Sequence, residues 1–231
     1  MNSVARVVAE SSLIQLDREF DFLVPDHLRD QIRFGQRVKF ELGRSKKMQT
    51  GFVVGVMSDS QYATTEITDI VAPAPVLTEE LFKFCRQVAD RQCVALGEIL
   101  ALAIPDHMPR VKNDQDPGDL PISNPITSPK IEPALTNRSA VLTNARSIKV
   151  FGNSYPDWAV LAAFQSVEKL LEGKSSIIVL PEQSQISLLV SLLKEAGVES
   201  HIAVFGNHQK KSERFQSFHK CLDSVTLNVM G

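Results

Sequence analysis

RVKFELGRSKKMQTGFVVGV, residues 37–56, alternates charged and apolar side chains over its first six positions. That period of two places Val38, Phe40 and Leu42 on one face of a strand and Arg37, Lys39 and Glu41 on the other. A six-residue connection, residues 43–48, leads into the apolar run 51–56, so the stretch reads as a β-hairpin with a basic tip. Working outward, residues 4–9 and 20–24 are short β-branched or aromatic runs, the second ended by Pro25, and residues 66–71 add another strand. Thr78 is a favourable N-cap with Glu79 and Glu80 behind it, and it opens a helix whose Leu81, Phe84, Cys85, Val88 and Ala89 form one face. A shorter apolar helix spans residues 96–103 and stops before Pro105. Residues 1–105 are therefore expected to form a strand-rich α+β domain with two helices.

Proline marks the end of that domain. Six of the twelve prolines fall within residues 106–149, and Pro117, Pro121, Pro125, Pro129 and Pro133 recur at a strict four-residue interval. Such spacing forbids a helix, and the polar filling leaves little to bury, so residues 106–149 read as an extended linker. Residues 150–231 then alternate. Helices are expected over 157–171, through Ile186, Leu189, Val190 and Leu193 before Gly197, and over 208–222, with strands over 176–180, 201–205 and 225–229. This βαβαβ pattern predicts a parallel sheet covered by helices, and three strands suggest a larger α/β domain cut short.

Composition sets the outer limits. The 231 residues are 43% hydrophobic with 25 basic and 27 acidic side chains, as in a soluble globular chain of one to two domains. An uninterrupted apolar run such as residues 158–164 is seven long, against the roughly 18 needed to span a bilayer. No membrane association is expected, and no secretory signal is visible. Three cysteines without a CxxC pair suit a reducing, cytoplasmic compartment. The net charge of −2 hides a focus: Arg33, Arg37, Lys39, Arg44, Lys46 and Lys47 oppose only Glu41, giving +5 over residues 33–47. A local patch of that kind attracts phosphates whatever the global charge. A solvated hairpin face is the competing reading of the same residues.

Other motifs are weaker. Gly173-Lys174-Ser175 mimics the end of a P-loop, but Glu168 stands where the loop's first glycine belongs, and the triplet closes a helix rather than opening one. Gly173 is better read as a C-cap. Cys85, Cys93 and the His219-Lys220-Cys221 run do not assemble a zinc ligand set. Asp17, Glu19 and Asp21 lie near one another without a motif for acid/base chemistry. No catalytic residue and no metal site is legible.

LDREFDFLVP (residues 16–25), FGQRVKFELGRSKK (34–47), GFVVGV (51–56), IVAPAPVLTEEL (70–81) and RQVADRQCVALGEILALAIP (86–105) together resemble the N-terminus of the primosomal protein N′ (PriA) family of replication restart proteins. The resemblance covers residues 3–105. It implies a domain that binds the 3′ end of a nascent leading strand at forked DNA. Phe20, Asp21 and Phe22 would form a pocket for the terminal nucleotide, Asp21 accepting a hydrogen bond from the 3′-hydroxyl. Gly43 would let the nucleotide approach the backbone. Either Phe20 or Phe22 would stack a base while the other packs in the core, on the argument that strand neighbours face opposite ways. Arg37, Lys39, Arg44, Lys46 and Lys47 are the candidate phosphate contacts. A lysine that the family pattern places just before residue 67 is Thr65 here.

Beyond the linker, GKSSIIVLPEQSQISLL (173–189) resembles helicase motif Ia of the same family, and VTLNVMG (225–231) resembles the strand leading into a GTR-type motif. The resemblance implies a partial RecA-like lobe of the degenerate actinobacterial type. Where a Walker A loop is expected stands VFGNSYPDW (150–158), with neither the lysine nor the hydroxyl that hold phosphate and Mg²⁺. ATP is thus not expected as a cofactor, and the family's zinc-binding cysteines would lie past residue 231. The function implied is recognition of abandoned forks and reloading of the replicative helicase. Forked DNA, single-stranded-DNA-binding protein and primosomal helicase-loading proteins would be partners, in a bacterial cytoplasm near the nucleoid. The alternative is an ATP-dependent helicase or another nucleotide-binding α/β enzyme.

Overall fold

Val4, Ala5, Val7, Val8 and Ala9 are all buried, so strand β1 (Ser3–Ala9) is covered on both faces except around Arg6. A strand with that pattern belongs in the middle of a sheet covered on both sides. In the computed structural model, which describes residues 3–43, 46–72, 74–108, 135–137, 140–142 and 146–231, β1 pairs antiparallel with both β2 (Glu19–Val24) and β4 (Lys47–Met57). Strand β3 (Arg37–Leu42) lies between β4 and β5 (Ile67–Ile70), giving the order β2-β1-β4-β3-β5. The two edges meet. Leu23 and Glu66 form a parallel bridge, and Leu23 N donates to Thr65 O at 2.9 Å, so the five strands curl nearly into a barrel. Ala5, Val7, Phe22, Val38, Phe40, Val53 and Ile67 pack together on one face.

Helices α1 (Glu79–Gln92) and α2 (Leu96–Ala103) follow. Thr78 caps α1 as expected, its Oγ1 accepting from Leu81 N at 3.1 Å. The buried face of α1 centres on Cys85 and Ala89. Phe84, one residue and therefore about 100° round from Cys85, is 61% exposed and not part of it. Helix α2 comes so close to β1 that a Cβ on Gly97 would fall 2.1 Å from the Ala9 carbonyl oxygen. The hairpin differs from expectation in its turn. Glu41 pairs with Met48 and Leu42 with Lys47, so the connection is residues 43–46 and the basic turn is tighter than the sequence suggested.

The chain divides into two units near residue 110. The proline interval 117–133 lies outside the described residues. The linker reading does not hold for all that follows it, because β6 (Leu135–Asn137) pairs with β7 (Ala140–Leu142) and β8 (Ser147–Val150) with β9 (Asn153–Pro156). After them come α3 (Asp157–Leu171), β10 (Ser176–Val179), α4 (Gln183–Glu195), β11 (Ile202–Phe205), α5 (Lys211–Asp223) and β12 (Leu227–Met230). The last three strands are parallel, as the βαβαβ pattern requires, in the order β10-β12-β11. Leu227 and Val229 of the central strand join a core with Ala159, Val160, Leu189 and Leu193 from α3 and α4. Asn228 points to the opposite face, its Oδ1 2.8 Å from Cys221 Sγ on α5. On edge strand β10, Ile177 and Val179 remain 69% and 70% exposed. No described helix is long and apolar enough to cross a membrane.

Candidate nucleic-acid interface

A cleft of about 530 Å³ opens beside β2 and the end of β3, and Phe20, Asp21, Phe22 and Gly43 all line it. The curl of the sheet is what joins them, since β2 and the segment entering β5 are held edge to edge at Leu23. The same cleft is lined by Arg6, Arg18, Glu19, Glu41, Leu42, Tyr62, Thr64 and Thr65. Gly43 has φ +73°, which favours glycine, and an added Cβ would meet nothing within 4 Å. Its missing side chain leaves that wall of the cleft open.

Asp21 lies directly opposite Arg6 across the β1–β2 ladder. Arg6 Nε donates to Oδ1 at 3.0 Å and Arg6 Nη2 reaches Oδ2 at 3.5 Å. Ser60 Oγ donates to Oδ2 at 2.6 Å. The Asp21 side chain is only 8% exposed. Its carboxyl is held below the ordinary carboxylate range, first by the Arg6 hydrogen bond and also by Ser60, against the opposing effect of burial. The group is therefore a fixed anion at neutral pH and can only accept hydrogen bonds. Glu19 shares Arg6 at 3.5 Å. Asp17, the third carboxylate of the cluster, is turned elsewhere: it accepts from Leu96 N at 3.0 Å at the start of α2 and pairs with Arg86 at 3.4 Å.

The two phenylalanines sort by depth. Residues two apart on a strand share a face, so Phe20 and Phe22 are on the same side, which corrects the expectation that one would face away. Phe22 is 3% exposed and its ring centroid is 4.5 Å from that of Phe40, so it is a core residue whose edge reaches the cleft. Phe20 is only half-buried and carries the Arg18 guanidinium 4.8 Å from its ring centroid.

The candidate phosphate contacts do not behave as a set. Arg37 is 4% exposed. Its guanidinium stacks 4.9 Å from the Phe52 ring centroid, pairs with Glu10 at 2.7 Å and donates to the carbonyls of Ile104 and Pro105 at 3.3 and 2.9 Å. Arg37 is thus a strut between the sheet and the chain leaving α2, and it is withdrawn from the phosphate set. Lys39 is half-buried, opposite Thr50 and Asp69 in register. Lys46 and Lys47 are exposed at the turn, Lys46 with φ 48°. Arg44 lies outside the described residues.

Residues 6–105 match the family described as the 3′ DNA-binding domain (3′BD) of PriA. The N-terminal unit belongs to that family. Over more of its length, the chain is similar to the probable replication restart protein PriA of Mycobacterium tuberculosis (strain CDC 1551 / Oshkosh), 28% identical over 191 residues. That match covers 77% of this chain and 28% of the relative. It is 23% identical over 232 residues to the probable replication restart protein PriA of Mycobacterium leprae, covering 95% of the chain and 35% of the relative. A 37% identical stretch of 90 residues matches the replication restart protein PriA of Bacillus subtilis, covering 38% of the chain and 11% of the relative. The chain thus spans about a third or less of the length of these relatives.

Within the PriA-type domain, sequence reasoning missed Arg6, Arg18, Ser60 and Tyr62. Arg6 left one trace, a lone charge inside the apolar run Val4 to Ala9. Tyr62, 73% exposed on the rim, left none. In the C-terminal unit, the segment where the PriA resemblance places a Walker A loop is the β8–β9 hairpin, turning at Phe151 and Gly152 with φ 53° and 87°. The Asp157 carboxylate accepts from Trp158 N at 2.8 Å at the start of α3. That bond takes up the Trp158 amide and puts a carboxyl group where a bound phosphate would have to sit. Gly173 follows α3 with φ +73°, and the amides of Gly173 and Lys174 close on the carbonyls of Leu170 and Lys169, the C-cap arrangement read from the sequence. Among the described residues no three metal-binding side chains come together.

Proposed function

We propose that this chain is a DNA-binding part of a replication restart protein, and that its N-terminal unit recognises the 3′ end of a nascent strand at an abandoned fork. The observation that carries this is the convergence of Phe20, Asp21, Phe22 and Gly43 on one cleft with Asp21 as its deep anion. The 3′-hydroxyl donates to Asp21, Phe20 stacks the terminal base, and Arg18 on the cleft wall supplies positive charge where Thr65 does not. Lys46 and Lys47 draw in the backbone phosphates of the adjoining strand. A 3′-phosphate brings like charge and no obligatory donor to Asp21, so it is rejected.

The C-terminal unit is read as a partial RecA-like lobe that does not turn over ATP, supported by its parallel sheet and by the hairpin and Asp157 at the position of the Walker loop. In this reading the whole protein promotes primosome assembly and reloads the replicative helicase, near the bacterial nucleoid. The test is equilibrium binding of forks whose nascent strand ends in a 3′-hydroxyl or a 3′-phosphate. Tighter binding of the hydroxyl end is expected, with the preference reduced in Asp21→Ala. Equal affinity for both ends removes the end-binding role.

A further inference from the structure

The end-binding reading above leaves the sugar of the terminal nucleotide undecided, and the surroundings of Asp21 bear on it. An ionised carboxylate offers about four lone-pair directions. Two of them face the Arg6 fork, with Nε 3.0 Å from Oδ1 and Nη2 3.5 Å from Oδ2. A third is taken by Ser60 Oγ, 2.6 Å from Oδ2. One direction remains, on Oδ1.

A vicinal diol engages a carboxylate most fully when its two hydroxyls lie along the edge between the two oxygens. That edge is the one Arg6 covers. Glu19 faces the same guanidinium, at 3.5 Å, and so adds no second acceptor along the Asp21 edge. A 2′-hydroxyl brought against Asp21 therefore gives up water at that contact and finds the carboxylate edge closed, which is costly for a polar group. A 2′-deoxy sugar brings nothing there that needs a bond. We propose, resting on the end-binding reading, that Arg6 and Ser60 make Asp21 a single-hydroxyl acceptor, so that the cleft selects a deoxyribonucleotide 3′ terminus over a ribonucleotide one. At a fork, this tells an extended DNA strand from an unextended RNA primer.

The test uses the full chain and three forks identical except for the last nascent nucleotide: deoxycytidine with a 3′-hydroxyl, ribocytidine with 2′- and 3′-hydroxyls, and deoxycytidine with a 3′-phosphate. The unsubstituted chain is expected to bind the deoxy end several-fold tighter than the ribo end. Arg6→Met weakens both but moves the ribo-to-deoxy ratio several-fold toward the ribo end, because general phosphate attraction cancels in the ratio. Arg6→Lys, which keeps the charge and loses the planar fork, moves the ratio the same way and serves if the methionine variant fails to fold. Equal binding of deoxy and ribo ends, with the hydroxyl-over-phosphate preference intact, overturns the sugar selection alone. So does a ratio unchanged in Arg6→Lys. Equal binding of hydroxyl and phosphate ends overturns the end-binding reading and this inference with it.

Discussion

Arg37 and Glu10 form an ion pair at 2.7 Å with side chains only 5% and 11% exposed, and the Arg37 guanidinium lies over the Phe52 ring. Removing one member of a buried pair strands the other's charge, at a cost of about 3–5 kcal/mol. Glu10→Ala and Arg37→Ala are each expected to lower unfolding stability by that order in urea titrations. Neither change should reduce the slope of log affinity for forked DNA against log salt. A reduced slope in a still-folded Arg37→Ala would return Arg37 to the phosphate-binding set.

Phe20 and Phe22 should separate by readout. Phe22→Ala opens a cavity beside Phe40 and is expected to cost about 3–5 kcal/mol of stability. Phe20→Ala touches the edge of the core only, and its main effect is a loss of about 1–3 kcal/mol in end binding, the usual worth of a base stacked on an aromatic ring. Thermal unfolding and fork titrations on both variants check the division.

Lys46 and Lys47 are exposed at the hairpin turn. Replacing both by Gln should weaken all DNA forms alike, leaving the preference for a 3′-hydroxyl in place. The salt slope should fall by about 0.7–0.9 for each phosphate that is no longer neutralised. A pair of titrations at low and physiological salt is sufficient, and an unchanged slope would place the phosphates elsewhere.

Asp21 gives a pH signature. Its folded-state pKa is depressed by Arg6, so its contribution to stability is complete above the ordinary carboxylate value and is lost as pH falls through the lower folded value. Acceptance of a 3′-hydroxyl follows the same ionisation. The preference for a 3′-hydroxyl end over a 2′,3′-dideoxy end, which carries no extra charge to titrate, is expected to hold through the ordinary carboxylate range and to fail only below it. A preference already failing within that range would mean that Arg6 does not hold the carboxylate.

What the sequence revealed follows from which forces are local. Alternation over residues 37–42 set the hairpin, Thr78 and its following glutamates set the start of α1, and the periodic runs after residue 157 set a parallel βαβαβ unit. Each depends on neighbours a few positions away. Arg37 was misread because alternation says which face a side chain takes and is silent on whether that face is covered; here the covering comes from Ile104 and Pro105, more than sixty residues on. The Arg6–Asp21 pair depends on the register across a fifteen-residue separation, and Ser60 reaches Asp21 from thirty-nine residues away. The four expected end-binding positions still met in one cleft, because three are consecutive on β2 and the curl of the sheet brings the start of the β3–β4 turn, where the fourth stands, to the same side. The β8–β9 hairpin was hidden because its strands are only four residues each, too short for periodicity to separate them from the linker read up to residue 149.

The bridge between Leu23 and Glu66 also governs how the two units tolerate being handled. Because it seals the curled sheet at one point, the N-terminal unit presents less bare strand edge to another molecule, and it is expected to aggregate less readily than the C-terminal unit. The parallel sheet has no such seal among the described residues: β10 and β11 each pair on one side only, and Ile177 and Val179 of β10 face solvent. Clumping during purification is therefore expected to begin at β10, and a lysine at position 177 or 179 should suppress it.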